Sequence, residues 1–437
     1  MTNCTLNSFQ FPVLKNRKVT ANFEGGSVSS DGGILFLKEI DKKLNLTTSV
    51  AKLLPDRRDQ TKIEHSILDM LRQRVYGIAL GYEDLNDHDY LRTDIAFQTG
   101  VGSDDPLASS PTLCRFENNA DRKIAVDIHK VIVEKFIASF KTAPKELVLD
   151  FDATDDLVHG NQAGRFFHGY YKNYCFLPLY VFCGKQPLVS YLRPSSEDGA
   201  KHAGVVLRLL VKRFRQVWPE VKIIFRADSG FCRQTTLNWC NRSRVHYIVG
   251  LARNRVLERI LKPTMEQAKK LYGVLQEKQR LFIQFTYSAQ SWSSPKKVIG
   301  KAEYTSQGEN PRFVVTNIDG DPQHLYEKLY CARGDMENRI KEQQLSLFAD
   351  RTSCHNWWAN QFRLLLSSLA YILIEQIRAI ALVGTELEKA QIDTIRLKLF
   401  KIGAVIIRNT RKVYFMLSSH YPYKKLFSLV YERLVPI

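Results

Sequence analysis

Short apolar runs separated by amphipathic stretches dominate the middle of the chain. Their lengths and spacing predict, in order, three strands, a helix, a strand, a short helix and a strand. These elements are predicted at residues 146–151, 175–183, 188–192, 202–217, 221–225, around Leu237 and at 246–250. The turn GKQP joins the second strand to the third, so the first three strands predict an antiparallel meander. The pattern favours an α/β fold built on a mixed sheet.

The segments on either side of this section have different periods. Up to about residue 140 the chain is predicted to be mostly helical, with amphipathic stretches at 33–46, 62–80 and 124–140. Between residues 251 and 326 a basic helix precedes alternating segments, which are typical of an inserted antiparallel sheet. From Leu325 the helical period returns. We therefore expect a multi-domain chain, as its 437 residues also indicate.

The charge balance adds a polyanionic partner to this picture. There are 63 Lys and Arg against 45 Asp and Glu, a formal net charge of +18, and nucleic acid is the leading candidate. Between Arg396 and Lys425 eight basic residues and several aromatic ones occur with no acid, a composition suited to a nucleic-acid backbone and its bases.

Other features argue against a membrane, a zinc site or a disulfide framework. The eight cysteines include no CxxC pair, and the longest apolar run, residues 364–374, is too short to span a bilayer. The N-terminus lacks the apolar core of a secretory signal. We therefore expect an intracellular protein with no membrane partner.

Acidic residues mark the ends of the predicted strands. In LVLDFDATDD, Asp150 and Asp152 point to the same face of the first strand, and Asp228 follows the fourth strand in RADSGF. Glu337 lies on a later helix, within YCARGDMENRIKE. This order of strands and acids is that of a ribonuclease-H-like domain. Three carboxylates in such a site can hold two magnesium ions and leave coordination positions free for water and phosphate.

The chain resembles bacterial insertion-sequence transposases of the DDE class, in the branch marked by a Y-x2-R-x3-E signature. The signature corresponds here to Tyr330, Arg333 and Glu337. The motifs SSDGG, GYEDLNDHDYLR, SPTLCRFEN, DATDD and RADSGF also resemble that branch, so the likeness covers nearly the whole chain.

The resemblance implies a function and a set of site residues. Asp152, Asp228 and Glu337 would bind two Mg²⁺ ions in the arrangement described above, with Mn²⁺ able to substitute. Tyr330 and Arg333 would hold the DNA end. The chain would act as a homodimer in the bacterial cytoplasm, bind double-stranded DNA at terminal inverted repeats, cleave it and transfer the strand to target DNA.

Three further DNA contacts are predicted. Many relatives carry a Lys seven residues after the Glu, where this chain has Gln344, and Lys341 is placed to substitute for it. Trp292 in the inserted region is a candidate for stacking on a flipped base, although a tryptophan packed in the sheet is the interpretation that its position favours. Arg115 lies on a helix that resembles a recognition helix, although an ordinary capped helix fits the same residues.

The expected organisation has five parts. They are a mostly helical DNA-binding or dimerisation region (1–140), the first part of the ribonuclease-H-like catalytic domain (141–250), a β-rich insertion (251–326), the last part of the catalytic domain with the Glu-bearing helix (327–385) and a basic C-terminal region (386–437).

Two alternatives remain open from the residues. LVLDFDAT also fits the pattern of haloacid-dehalogenase-like phosphatases, in which Asp150 would be the nucleophile and Asp152 the acid and base. The antiparallel hairpin predicted after the first strand argues against that fold, which needs a crossover to a parallel neighbour. A catalytically inactive DNA-binding relative is the second alternative.

Overall fold

A computed structural model describes residues 8–435 and confirms the α/β class. The chain forms two compact units. One contains the residues up to Glu117 together with those from Leu369 onward, and the other is Asn118–Ser368.

The N-terminal part of the first unit starts with a hairpin and continues in short helices. Its elements are β1 (Phe9–Leu14), β2 (Arg17–Ala21), β3 (Val28–Ser29), α1 (Ile34–Leu44), α2 (Leu46–Ala51), α3 (Ile67–Leu80), α4 (Asp87–Leu91), α5 (Ile95–Val101) and α6 (Ser110–Asn118). The exposed hairpin β1–β2 was not among the sequence-based expectations for this mostly helical region.

Helix α3 shows how local sequence sets the ends of these helices. The hydroxyl of Ser66 accepts a hydrogen bond from the backbone N–H of Asp69 and caps the N-terminus. Gly81, with φ of +92°, ends the helix in the left-handed region that glycine adopts without strain.

The second unit contains a long mixed sheet, a small sheet and several helices. Its elements up to the last strand are α7 (Arg122–Ala138), β4 (Glu146–Ala153), β5 (Asp156–Leu157), β6 (Phe166–His168), β7 (Asn173–Phe176), β8 (Leu179–Cys183), β9 (Gln186–Tyr191), α8 (Ala203–Val217), β10 (Lys222–Ala227), α9 (Gln234–Arg242), β11 (His246–Leu251), α10 (Arg255–Leu275), β12 (Gln279–Tyr287), β13 (Lys296–Thr305), β14 (Gly308–Glu309) and β15 (Arg312–Thr316).

The long sheet has the order β12-β13-β15-β11-β10-β4-β8-β9, with β14 paired to β13 alone. The meander β4-β8-β9 is antiparallel, as predicted, and β10 and β11 run parallel to β4. The order β9-β8-β4-β10-β11 is that of a ribonuclease-H-like sheet. Strand β15 pairs antiparallel with β11, so the strands expected as an insertion extend this same sheet.

The apolar run predicted over residues 175–183 is divided between two sheets. Strand β7 joins β5 and β6 in the small sheet, whereas β8 belongs to the long one. Pro178 lies between them and has no N–H to donate to a ladder, so a single continuous strand was the wrong expectation.

The two faces of β4 have different surroundings. Leu147, Leu149 and Phe151 point into the larger apolar core with residues of α8, β10 and α10. Asp150 and Asp152 alternate with them and therefore lie on the other face. The carboxylates are thus held at the end of a strand that the core fixes in place.

The segment after β15 is helical but changes its pitch repeatedly. It consists of α11 (Pro322–His324), a π-helical turn (Leu325–Tyr330), a 3₁₀ turn (Cys331–Arg333), α12 (Gly334–Lys341) and a second π-helical turn (Glu342–Ser346). The sequence predicted one continuous helix here. Departures of this kind from α-helical pitch are frequent at functional sites.

The chain ends with one long helix and a small β structure. These elements are α13 (Trp357–Ala381), α14 (Ile392–Ile395), a π-helical turn (Arg396–Phe400), β16 (Ala404–Arg408), β17 (Val413–Leu417) and α15 (Lys424–Leu434). Strand β16 pairs with both β17 and β3, so N- and C-terminal residues share one sheet of the first unit.

Helix α13 is long and apolar enough to cross a membrane by length and composition. Its most apolar window has a mean hydropathy of 1.6, and 83% of that window is buried within the protein. Within residues 8–435 no second helix meets the same test.

Candidate active site

Asp152 lies near the end of β4 and is largely buried. One carboxylate oxygen accepts a hydrogen bond from the N–H of Ala153 at 2.9 Å, and the other accepts from Arg333 Nη1 at 3.2 Å. Burial raises the pKa of Asp152 to about 6, and the negative charges of Asp228 and Glu337 act in the same direction while Arg333 opposes them. The carboxylate is therefore held among other acids at some electrostatic cost.

Asp228 follows β10 and caps the 3₁₀ turn Ser229–Phe231. Its Oδ1 accepts a hydrogen bond from the N–H of Gly230 at 2.9 Å, which fixes the side chain. Strand β10 is parallel to β4, so the carboxyl ends of the two strands meet at one edge of the sheet. This pairing brings Asp228 and Asp152 to the same edge of the sheet.

Glu337 comes from α12, more than 180 residues after Asp152. Its Oε1 accepts a hydrogen bond from Arg333 Nη2 at 2.5 Å, and Arg333 also bonds Asp152. The guanidinium therefore joins two acids that are far apart in the sequence. Because a guanidinium has five N–H donors, Arg333 also has the chemistry to bind a phosphate.

The three acids line one cavity of about 550 Å³. Arg333 and Lys341 line it as well. The remaining lining residues are Ala153, Thr154, His168, Tyr170, Tyr171, Leu177, Gly199, Gly230, Phe231, Ile340 and Gln344.

Gln344 takes part in a buried hydrogen-bond network. Its Nε2 donates to the carbonyl oxygen of Asp155 at 2.9 Å and to Oδ1 of Asp156 at 2.8 Å. Asp156 is fully buried, and burial raises its pKa well above the usual range. Gln344 thus connects the segment after Glu337 to the segment after Asp152.

Tyr330 lies beside the Asp228 turn and is not among the residues that line the cavity. A Cβ atom on Gly250 would be 2.7 Å from the Tyr330 hydroxyl and 2.7 Å from the backbone nitrogen of Ser229. Only glycine therefore permits this approach, which packs the Tyr330 ring and the Asp228 turn against the end of β11.

Asp150 has a different environment from Asp152. It is buried and forms a bidentate ion pair with Arg226, one bond of which is 2.7 Å, and Arg226 also donates to the carbonyl of Leu329. Asp150 does not line the cavity. A carboxylate engaged in this way is poorly placed to attack phosphorus, which counts against the phosphatase alternative.

Trp292 and Arg115 do not line the cavity. The Trp292 ring lies 5.5 Å from that of Tyr287 and 5.8 Å from the ammonium of Lys296, so it packs against its own hairpin. Arg115 is exposed on α6 and donates a hydrogen bond to Thr112 at 3.1 Å. Their roles in DNA binding stay predictions.

The sequence-based prediction missed the aromatic lining of the cavity. Tyr170 and Tyr171 belong to RFFHGYYKNY, residues 165–174, in which aromatic residues are interleaved with Arg165, His168 and Lys172. That interleaving is a signal for nucleic-acid contact.

The donor chemistry of the cavity suits a divalent cation. Carboxylate oxygens are the ligands that magnesium and manganese prefer. Burial and, to a smaller extent, the charges of Asp228 and Glu337 raise the pKa of Asp152, and a bound cation would offset both effects. Arg333 holds two of these carboxylates through ion pairs. In the part of the chain that the structure describes, no three potential ligands lie close enough to form a ready-made metal cluster.

Comparison with known proteins identifies the family. The model of the family described as Transposase DDE domain group 1 matches residues 11–437. No curated protein matches the chain. The solved structures that match include a cryo-EM structure of the piggyBac transposase synaptic complex with hairpin DNA, which is 11% identical with a TM-score of 0.41 and covers 85% of this chain and 80% of that chain. DDE transposases generally use divalent metal ions. Because the family model spans nearly the whole length, the chain belongs to the family Transposase DDE domain group 1.

Proposed function

We propose that this transposase binds the terminal inverted repeats of an insertion sequence and catalyses metal-dependent DNA cleavage and strand transfer. Asp152, Asp228 and Glu337 are the proposed metal ligands. We also assign the chain to the branch with the Y-x2-R-x3-E signature, through Tyr330 and Arg333.

One observation carries the proposal. Three acids from β4, the turn after β10 and helix α12 line a single cavity with Arg333 and Lys341. Carboxylates that line the same cavity repel one another, so this arrangement does not stabilise the fold. A bound cation would offset the repulsion, which is the reason to propose a metal site here.

The proposed chemistry is a displacement at phosphorus. Two Mg²⁺ ions, for which Mn²⁺ can substitute, would acidify the attacking water or 3′-hydroxyl and neutralise charge on the phosphate. Arg333 and Lys341 would bind the phosphate oxygens, Arg333 exchanging its bonds to Asp152 and Glu337 for bonds to DNA. Tyr330, beside the Asp228 turn, would hold the DNA end.

The remaining parts of the proposal concern partners. The two ends of the insertion sequence must be joined to the target DNA, so we propose a homodimer on DNA. Arg115 and the basic C-terminal residues are proposed duplex contacts, and the cytoplasm of a bacterium is the proposed location. Trp292 is a proposed stacking residue because its ring is partly exposed.

The test is cleavage of a labelled duplex that carries the DNA flanking the coding sequence. We expect nicking at the element boundary that requires Mg²⁺ or Mn²⁺. Asp152→Asn, Asp228→Asn and Glu337→Gln should each reduce the rate by at least about a hundredfold, because each removes a ligand from charge-stabilising chemistry. Their affinity for the uncleaved duplex should stay close to that of the wild type.

A matched control comes from the same helix. Asp335 lies two residues from Glu337 and does not line the cavity, so Asp335→Asn should cleave at nearly the wild-type rate. Hydrolysis of small phosphate esters without nicking would instead favour the phosphatase alternative. Tight duplex binding with no cleavage in either metal would identify an inactive DNA-binding relative.

A further inference from the structure

The small sheet beside the cavity carries an unusual set of aromatic side chains. Strands β6 and β7 pair antiparallel, with Phe167 opposite Tyr174, and the two rings lie 5.6 Å apart. Between the strands, Tyr170 and Tyr171 occupy the turn with their rings 5.0 Å apart. We call the side chains of residues 165–174 the aromatic platform.

These rings are exposed although they are large. The exposed fractions are 57% for Phe167, 83% for Tyr170 and 50% for Tyr174. Single exposed aromatic residues are common on proteins, but several together mark a binding surface. Packing of the protein's own core therefore does not explain why these rings are present.

The platform is continuous with the candidate active site. His168, Tyr170 and Tyr171 line the same cavity as the three acids. The Tyr171 hydroxyl donates to the carbonyl of Ala153, the residue after Asp152, at 3.4 Å. A ligand on the platform would therefore lie next to whatever occupies the acidic cavity.

The charge of the platform selects the kind of ligand. The Arg165 guanidinium lies 4.7 Å from the centre of the Tyr174 ring, and Lys172 in the adjacent turn is exposed. Among the side chains of residues 165–174 there is no acid to balance these two cations. Positive charge combined with open ring faces suits a phosphate backbone and flat bases.

We propose that the aromatic platform binds unpaired nucleotides at the end of the DNA being cut. The inference rests on the proposed function, which brings a DNA end to the cavity. Unpaired nucleotides are required because the faces of bases inside a duplex are already covered by their neighbours, whereas an unpaired base can stack on Tyr170 or Phe167. Arg165 and Lys172 contact the adjoining phosphates.

The test compares two DNA probes of identical sequence. One is a blunt duplex, and the other has five unpaired nucleotides at one end, with 2-aminopurine as a fluorescent base among them. Binding of the full chain is measured without divalent metal, so that no cleavage occurs. We expect tighter binding of the unpaired end and quenching of 2-aminopurine fluorescence by stacking.

The variants Tyr170→Ala and Phe167→Ala should each weaken binding of the unpaired end by about tenfold, as expected for the loss of one stacked ring. They should leave binding of the blunt duplex unchanged. Tyr170→Phe keeps the ring and should keep both the preference and the quenching. Because Tyr170 is 83% and Phe167 57% exposed, we expect neither substitution to disturb the core.

Tyr90 provides the control, since it is 84% exposed and does not line the cavity. Tyr90→Ala should bind both probes as the wild type does. The inference is overturned if the wild type shows no preference, or if Tyr170→Ala and Phe167→Ala retain it. If the protein prefers the unpaired end through these rings but never cleaves DNA, the platform is supported and the proposed catalytic function is rejected. If it cleaves DNA but shows no such preference, the catalytic function is supported and the platform is rejected.

Discussion

Two aspartates on β4 differ in what surrounds them, although they are two residues apart and share a face. Asp150 is compensated by the buried guanidinium of Arg226. Asp152 faces the cavity and is surrounded partly by other acids. Asp150 therefore contributes to the fold, and Asp152 is the one available for chemistry.

This difference predicts that one substitution lowers stability and that another lowers activity without lowering stability. Arg226→Met should reduce the free energy of unfolding by about 3 kcal/mol, because it leaves Asp150 buried without its cation. Asp152→Asn should leave that free energy nearly unchanged, because it removes a charge that burial disfavours, yet it should abolish cleavage. Urea unfolding, monitored by circular dichroism, measures the free energy of unfolding of each variant. Equal losses of stability in the two variants would contradict this assignment.

Gln344 stands where many relatives of the proposed branch carry Lys, and its hydrogen bonds suggest a positioning role. Gln344→Ala should lower the free energy of unfolding by about 1–3 kcal/mol, because Asp155 and Asp156 lose a buried donor. Asp156→Asn can still accept the bond and should cost less. Binding of duplex DNA should be unchanged in both variants. A loss of DNA affinity at normal stability would instead make Gln344 a DNA contact.

At the scale of elements, the strands expected as an insertion support the segment that carries Glu337. Arg280 on β12 forms ion pairs with Glu303 on β13 and, at 2.9 Å, with Glu327 in the first π-helical turn. Lys301 on β13 bonds Glu303 at 2.9 Å and lies 5.7 Å from the centre of the Tyr326 ring. These contacts connect the edge of the sheet to the start of the Glu337 segment.

Glu303 makes this connection dependent on pH. Burial opposes its ionisation, but hydrogen bonds from Lys301, Arg280 and Asn310 outweigh burial and lower the pKa of Glu303 to about 2. An acid whose folded-state pKa is depressed adds stability above its unfolded value near 4.5, and that stability is lost as the pH falls toward 2.

The prediction is that Glu303→Gln costs about 3 kcal/mol of unfolding free energy at pH 7. The difference from the wild type should persist down to about pH 4.5 and narrow at lower pH. Urea unfolding at pH 7, 4 and 3 tests this. Glu309→Gln, at an exposed position on β14, serves as the control and should behave as the wild type at every pH.

At the scale of the whole molecule, the net charge of +18 predicts DNA binding that weakens with salt. Arg411 and Lys412 are exposed in the turn between β16 and β17. Log affinity falls as log salt rises. In the double variant Arg411→Gln, Lys412→Gln this fall should be less steep by about 2 in slope, because two phosphate contacts are lost. Fluorescence anisotropy over 50–200 mM salt measures the slope.

A matched pair of lysines provides the control. Lys123 and Lys130 on α7 are both exposed but form ion pairs with Asp127 at 2.9 Å. Replacing both with Gln should change the slope little, because Asp127 already neutralises part of their charge. Equal effects of the two double variants would show that the molecule binds DNA through its overall charge rather than through the basic C-terminal region.

The sequence alone was sufficient for the order of the main strands and helices of the long sheet and for proposing the acids of the site. Apolar runs and amphipathic periods are local properties, so the meander, the parallel strands and the helix with Glu337 could be predicted from neighbouring residues. The motif likeness to transposases agrees with the family that the comparison identified. The predicted boundaries of elements were wrong in two places. Pro178 divides a segment that was predicted as one strand, and the helical segment around α12 changes its pitch where one continuous helix was predicted.

Tertiary structure decided what each polar residue contacts. Asp150 meets Arg226 because β4 and β10 pair in register, and Gln344 meets Asp156 although 188 residues separate them. The aromatic platform and the extension of the sheet by β15 depend in the same way on strand pairing. Such contacts depend on the three-dimensional path of the whole chain, and local periodicity carries no information about that path. For this reason the sequence could propose the acids, while only the fold showed that Asp150 pairs with Arg226 and that Asp152 faces the cavity.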